Sequence, residues 1–334
     1  MIDEKKYIVT VLMPAYNAEL YIEEAIRSIL NQTFKEFEFL IINDGSTDST
    51  ETIVRKYSDP RIIFITNESN KGLIYSLNYG LRIARGKYIA RMDADDICFP
   101  KRLEKEVSYM EKHPEISLLG SNYIRMDNNE EICHPSSWEQ IRLYLLEGTT
   151  FAHPTVMIRK DDFFKHELSY QEKDFSAEDY GLWVAAAKRG LKMANLSDFL
   201  LLYRIHDDQI STIKAVEQRE TTRRIRMEYA RFYWKDKLSE GDYYIISRLF
   251  EDSEAYLSIL TLWKLWHINK TDNIFEEQEF KYFLAKYFDK SYKNMTKWDL
   301  FQLIKLNFTF NYKLYLIRMF IKKTYVKYKS KLQS

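Results

Sequence analysis

Asp93, Asp95 and Asp96 stand within four residues at the end of the apolar run Lys87 to Met92. Carboxylates this close repel one another unless a cation or hydrogen-bond donors balance them. A divalent ion is one such balance, because hard oxygen ligands suit Mg²⁺ or Mn²⁺, which keep some water and share the oxygens of a substrate phosphate. The bland alternative is a solvated turn or a helix N-cap. A second polar run, Asn43-Asp44-Gly45-Ser46-Thr47-Asp48, also follows an apolar segment. Gly45 permits a tight turn there and Asp44 can accept a hydrogen bond from a base or ribose, although a turn leading into a capped helix has the same composition. After Pro14, Tyr16 and Asn17 offer a stacking face and an amide, or serve loop packing alone. Glu178 and Asp179 precede a helical pattern, where by themselves they read first as a capping doublet.

Such residues act together only if the chain brings them to one place. The first 125 residues alternate strand-like and helix-like patterns: Tyr7 to Met13, Phe37 to Ile42, Arg61 to Thr66 and Lys87 to Met92 as strands, with helices over Glu19 to Asn31, Asp48 to Tyr57, Leu73 to Ala84 and Pro100 to Lys112. Asp48 is a candidate N-cap of the second helix and Gly86 the stop signal of the third. Strands alternating with helices predict a parallel sheet with crossovers, and ligands in such sheets sit beyond the carboxyl ends of the strands. Pro14 to Asn17, Asn43 to Ser46, Asn67 to Gly72 and Asp93 to Asp96 all fall there. That coincidence favours a cleft over a set of unrelated turns.

The composition excludes several classes. With 334 residues, 46% hydrophobic and 30% charged, the chain has material for two domains and a buried core. Cys98 and Cys133 form no disulfide framework or zinc spacing, which suits a reducing cytoplasm. The apolar run Tyr7 to Met13 is too short for a signal sequence, and no run of about 18 apolar residues predicts a spanning helix. GxGxxG is absent, and the nearest approach to a P-loop, Gly80 to Lys87, has five residues between its glycines and Tyr88 where Ser or Thr is required. A domain boundary is expected near Ile213 to Glu217: residues 1–215 form the α/β part, with halves of about 1–125 and 126–215, and residues 216–334 form a helical region with Val216 to Leu238, Asp242 to Trp266, Glu276 to Phe288 and a stretch from Trp298 as helices. The net charge of +1 hides an asymmetry, since residues 300–334 hold eight basic and no acidic residues, leaving −7 on the rest. Leu314, Ile317, Ile321, Tyr325 and Tyr328 follow helical spacing beside Arg318, Lys322 and Lys329, a basic amphipathic helix that either lies on an anionic membrane or docks on the enzyme. No nucleic-acid-binding motif accompanies the charge.

Taken in order, Val11-Leu12-Met13-Pro14-Ala15-Tyr16-Asn17, Ile29-Leu30-Asn31-Gln32-Thr33, Asn43-Asp44-Gly45-Ser46-Thr47-Asp48, Asn70-Lys71-Gly72, Ala84-Arg85-Gly86-Lys87-Tyr88 and Met92-Asp93-Ala94-Asp95-Asp96 resemble the family 2 inverting glycosyltransferases of bacteria. The resemblance covers about the first 210 residues and implies a GT-A type α/β fold, with a mainly parallel sheet and flanking helices. It further implies that Ala177-Glu178-Asp179-Tyr180 is the family's ED motif and that Tyr203-Arg204-Ile205-His206 with Ser211 is its RxH segment.

The resemblance carries expectations for the chemistry. Members of the family move a sugar from a nucleotide diphosphate donor with inversion at the anomeric carbon. Pro14, Ala15, Tyr16 and Asn17 would line the base and ribose pocket, Asp44 would read the base edge, Lys71 and Gly72 would lie along the nucleotide, and Asp93 with Ala94 would face the ribose. Asp95 would be the principal ligand of Mn²⁺ or Mg²⁺, with Asp93 and His206 as further candidates, although a lone His is as often a packed residue. Inverting displacement needs a carboxylate to take the acceptor's proton, and Asp179 is assigned that role with Glu178 orienting it. His153, before a predicted strand, is either an acceptor contact or structural. The implied activity is transfer of a hexose or N-acetylhexosamine from a UDP-sugar to a glycan or lipid-linked oligosaccharide, at the inner face of a bacterial membrane and without nucleic acid. Two rivals stand beside it. A sugar nucleotidylyltransferase would need a Gly-rich basic loop near the first strand, which Pro14 to Asn17 does not supply, and the intact Asp95 and Asp179 argue against a silent binding protein.

Overall fold

In the computed structural model, residues 7–206, 214–248 and 255–294 are described. Ser211, the stretch from Trp298 and the tail residues Leu314, Ile317, Ile321, Tyr325 and Tyr328 lie outside them.

Strands β1 (Val9–Ala15) and β2 (Phe37–Asn43) are buried along their whole lengths. A strand apolar on both sides needs cover on both faces, which crossover helices supply. α1 (Ile22–Leu30) does so with Ile22, Ala25, Ile26 and Ile29 buried and its charges outward. After α2 (Thr50–Val54), β3 (Ile62–Thr66) adds to the edge, and α3 (Leu73–Ile83) returns the chain to β4 (Tyr88–Arg91). These four strands pair in parallel in the order β3-β2-β1-β4. That is the arrangement expected from the alternating pattern.

Beyond β4 the sheet is mixed. β5 (Ile97–Cys98), α4 (Arg102–Lys112), β6 (Ile116–Arg125), β7 (Glu131–Ile132), α5 (Trp138–Tyr144), β8 (Met157–Arg159), α6 (Lys160–Lys165), α7 (Glu178–Lys188) and β9 (Lys192–Tyr203) complete it. Among the described residues the sheet has nine strands, continuing β4-β8-β6-β9-β5 with β7 on β6. β8 runs antiparallel to both β4 and β6, β6 and β9 are parallel, and β5 is antiparallel to β9. β5 and β7 have two residues each, too few for any periodic signal.

Two local expectations are corrected. Gly86 is not the terminator of α3, which ends at Ile83 when Ala84 turns to φ −55°, ψ 133°. A Cβ at Gly86 would stand 2.4 Å from Thr10 N, so glycine lets this backbone press against β1. Nor is Asp48 the N-cap residue of α2, a place taken by Ser49. Asp48 accepts hydrogen bonds from the amides of Glu19 and Thr50, each at 3.0 Å, and so joins the loop after β2 to the entry of α1.

The chain divides between Ile225 and Arg226 into two compact units, within helix α8 (Ala215–Trp234). The second unit holds α9 (Glu240–Arg248), α10 (Ala255–Asp272) and α11 (Glu277–Asn294). The single helix expected from Asp242 to Trp266 is thus two, with residues 249–254 outside the described part. Trp234, Phe275 and Phe280 are buried together there, with ring centroids of Phe275 5.9 Å from Trp234 and 5.4 Å from Phe280. Part of the chain's aromatic surplus is therefore core.

Candidate active site

The carboxyl ends of β1 and β2 carry the first polar cluster. Asn17 adopts a left-handed backbone (φ 49°). Its Oδ1 accepts from the Thr47 amide at 2.9 Å, and its own amide donates to Ser46 Oγ at 2.9 Å. Pro14 and Ala15 end β1, whereas the Tyr16 ring beyond them is 48% exposed and open to stacking. Asp44 is buried; its Oδ1 accepts from Asn67 Nδ2 at 2.7 Å and from the Lys71 amide at 3.0 Å, and its Oδ2 from the Gly72 amide at 2.8 Å. Asp44 thus shapes the loop that presents Lys71 and Gly72, with acceptor capacity left on Oδ2. Gly45 (φ 69°) allows the close approach, since a Cβ there would lie 2.5 Å from the Ser69 carbonyl carbon.

The second cluster follows β4. One oxygen from each of Asp93, Asp95 and Asp96 lies within 4.8 Å of the others. Asp93 forms an ion pair with the buried Arg91 guanidinium, whose Nε and Nη1 lack an aligned hydrogen-bond acceptor among the described residues. Asp95 Oδ2 is 2.9 Å from His206 Nε2. Arg204 binds this turn from the end of β9, its amide donating to Asp96 Oδ1 and its Nε to the Asp95 carbonyl, both at 2.8 Å. The guanidinium of Arg204 also reaches Glu24 Oε2 at 2.6 Å and lies 4.5 Å over the Tyr21 ring. Burial pushes the Asp93 carboxyl up, against the pull of Arg91, and pushes Asp96 well above the usual range with help from the charges of Asp93 and Asp95. Asp96 Oδ2 is buried without a hydrogen-bond partner among the described residues. Hard oxygen donors, mutual repulsion and an orphaned buried carboxylate oxygen together fit a divalent cation.

The third cluster opens α7. Glu178 and Asp179 lie in its first turn, and Asp179 Oδ1 accepts from the Tyr180 amide at 2.6 Å. Burial lifts Glu178 to about 7, aided by the neighbouring Asp179 charge, and burial also raises Asp179. The charge of Asp93 raises both, and that of Arg91 lowers both, so the two carboxylate clusters lie within electrostatic reach. His153 begins a short turn of 3₁₀ helix before β8. Its Nε2 is 2.8 Å from the Tyr170 hydroxyl, and its ring is 5.9 Å from that of Trp183. Burial, reinforced by Arg91, holds its proton affinity well below the ordinary histidine value. Tyr170 is clamped in turn, exchanging backbone hydrogen bonds of 2.9 and 3.0 Å with the Asn78 amide group.

Sequence reasoning missed Arg91, Tyr170 and Tyr21. A cation closing an otherwise apolar strand was a usable signal for Arg91; nothing local marked the tyrosines among so many.

Comparison with known proteins follows the same lines. The family model described as Glycosyl transferase family 2 matches residues 10–168. An uncharacterized glycosyltransferase of Haemophilus influenzae is 33% identical over 88% of this chain and 91% of its own. The Escherichia coli protein named UDP-Glc:alpha-D-GlcNAc-diphosphoundecaprenol beta-1,3-glucosyltransferase WfgD is 33% identical over 63% of this chain and 82% of its own. Among solved structures, TarS of S. aureus in complex with UDP-GlcNAc superposes with a TM-score of 0.57 at 20% identity, covering 77% of this chain and 87% of that one. The mannosyltransferase PcManGT of Pyrobaculum calidifontis, in complex with GDP-Man and Mn²⁺, gives a TM-score of 0.53 at 18% identity over 96% of this chain and 88% of that one. At these identities the structural likeness establishes the fold, which is of the GT-A type. Glu178, Asp179, Arg204 and His206 lie beyond the residues that the family model matches.

Proposed function

The chain belongs to glycosyl transferase family 2, and from that premise we propose that it transfers a hexose or N-acetylhexosamine from a UDP-sugar, with inversion, to a lipid-linked glycan in surface polysaccharide assembly. The observation that carries the reading is that the carboxylates after β4 and those opening α7 lie within electrostatic reach of one another and of Arg91, the former at the carboxyl end of a strand, where ligands of such folds sit. The printed activity of the E. coli relative, a UDP-Glc-dependent transfer to a GlcNAc-diphosphoundecaprenol, supports the donor and acceptor class. The relatives are named glycosyltransferases, and no observation favours nucleotidylyl transfer or silent binding.

In this mechanism Tyr16 stacks on the base, Asn17 and Asp44 hold the loops around it, and Lys71 and Gly72 flank the nucleotide, with Asp93 and Ala94 toward the ribose. Asp95, with Asp93 and His206, would hold Mn²⁺ or Mg²⁺, which when bound neutralises charge developing on the departing diphosphate. Asp179 takes the acceptor hydroxyl's proton as that oxygen attacks the anomeric carbon and the bond to the diphosphate oxygen breaks. Its raised proton affinity makes it a better base than an ordinary carboxylate. Glu178, partly protonated near neutral pH, orients Asp179 or the acceptor. His153, neutral and held by Tyr170, forms part of the acceptor wall.

No described helix is long and apolar enough to cross a membrane. Association with the inner membrane face is assigned to the basic segment 300–334. The test is a hydrolysis screen of UDP-, GDP- and TDP-sugars with Mn²⁺ and with chelator. UDP release that the chelator abolishes is the expected result, and hydrolysis of GDP- or TDP-sugars alone would reject the donor assignment.

A further inference from the structure

The turn that carries Glu178 and Asp179 is gripped from behind by residues outside the reaction just described. Asp174 is 4% exposed. Its carboxylate lies over the backbone of Gly181, where a Cβ would stand 2.3 Å from Asp174 Oδ2. The carboxylate therefore fills the volume that any larger residue 181 would need. Its ion-pair partner is Arg224 of α8, whose Nη2 lies 2.7 Å from Asp174 Oδ1 and donates to the Lys173 carbonyl, also at 2.7 Å. Between Asp174 and α7 the chain is tight: the Ala177 amide donates to the Asp174 carbonyl at 2.9 Å, and the Gly181 amide to the Ala177 carbonyl at 3.0 Å. Ser176, in that turn, holds a left-handed backbone (φ 71°), a conformation that non-glycine residues keep only when their surroundings enforce it.

Asp174 is the buried member of the pair and the Arg224 side chain is 34% exposed, so removing Arg224 leaves a buried carboxylate that must find water, whereas removing both charges leaves none. Without Arg224, Asp174 would swing outward, the space over Gly181 would empty, and the strained turn would relax with the residues that follow it. We propose that Arg224 is a positioning residue for sugar transfer: through Asp174 it fixes the first turn of α7, and with it the aim of Asp179 and Glu178 at the reacting sugar. The proposal rests on the transferase reading for its consequence and on the clamp geometry for its cause.

Arg224→Met separates the two. In the full chain this variant is expected to lose about 10- to 100-fold in kcat, the effect of a small misplacement of a reacting group, while KM and Kd for the donor stay within about twofold. Arg224→Lys should keep most of the activity, and Asp174→Asn combined with Arg224→Met should recover to within about threefold of wild type. Amide exchange of residues 178–182 should quicken in Arg224→Met and return in the double variant. Unchanged kcat, donor affinity falling in step with kcat, or a double variant no better than the single would each overturn the clamp. If the wild-type chain transfers no sugar, the functional reading falls, and exchange decides alone: unaltered protection at 178–182 in Arg224→Met rejects the clamp, and lost protection upholds it.

Discussion

Glu178 and Asp179 are neighbours assigned different tasks, and burial raises the proton affinity of both. Burial lifts Glu178 from an ordinary 4.5 to about 7, so the folded protein holds a proton that the unfolded chain releases across that window. Its contribution to stability is complete below 4.5 and is lost as pH rises to about 7, at about 1.4 kcal/mol per pH unit. Urea denaturation of Glu178→Gln should show this slope removed between pH 5 and 7; the same slope as wild type would mean that another group carries it. Asp179, also raised, must be ionised to act, so the transfer rate should climb with pH through a pKa above the usual carboxylate range. Asp95→Ala should weaken metal-dependent donor binding by at least about tenfold, read by calorimetry with and without chelator. Asp93, Asp95 and Asp96 could be found in the sequence because three acids stand within four residues, whereas Glu178 and Asp179 were legible only through the family resemblance. Arg91 carried one local signal, a cation closing an otherwise apolar strand, whereas Tyr170 carried none, because its meaning comes from His153, which lies 17 residues earlier in the chain.

At the scale of elements, the positions that let backbones touch are more sensitive than their exposure suggests. Gly86→Ala would drive a methyl into the Thr10 amide at 2.4 Å and should cost about 2–4 kcal/mol in chemical denaturation. Donor affinity of the folded fraction should be unchanged, because this contact sits at the amino end of β4, away from the carboxyl-end loops. A loss below about 0.5 kcal/mol would show that the strands can part there at little cost. The parallel half of the sheet was readable because each strand is a solid apolar run and each crossover helix has an apolar stripe. The mixed half was less so. The pairing of β8 between β4 and β6 joins residues tens of positions apart, and a three-residue strand has no period to detect. Gly86 likewise read as a stop because a glycine after a helix has that local meaning, whereas its tight neighbour is Thr10 in a distant strand.

For the molecule as a whole, charge is the organising quantity. Seven of the eight basic residues of the acid-free segment fall in 312–334, on a chain whose remainder is acidic. Deleting 312–334 should weaken binding to anionic liposomes steeply, by up to about 1 kcal/mol for each cation that reaches the surface, and salt should weaken wild-type binding in the same direction. Unchanged binding on sedimentation would assign the segment to packing.

Donor affinity and transfer rate measured side by side on Asp179→Asn bear on every assignment at once. Donor binding within about twofold of wild type, with transfer reduced by at least about a thousandfold, is the expected result. Transfer at the wild-type rate would contradict it, for the carboxylate opening α7 would then have no proton to take.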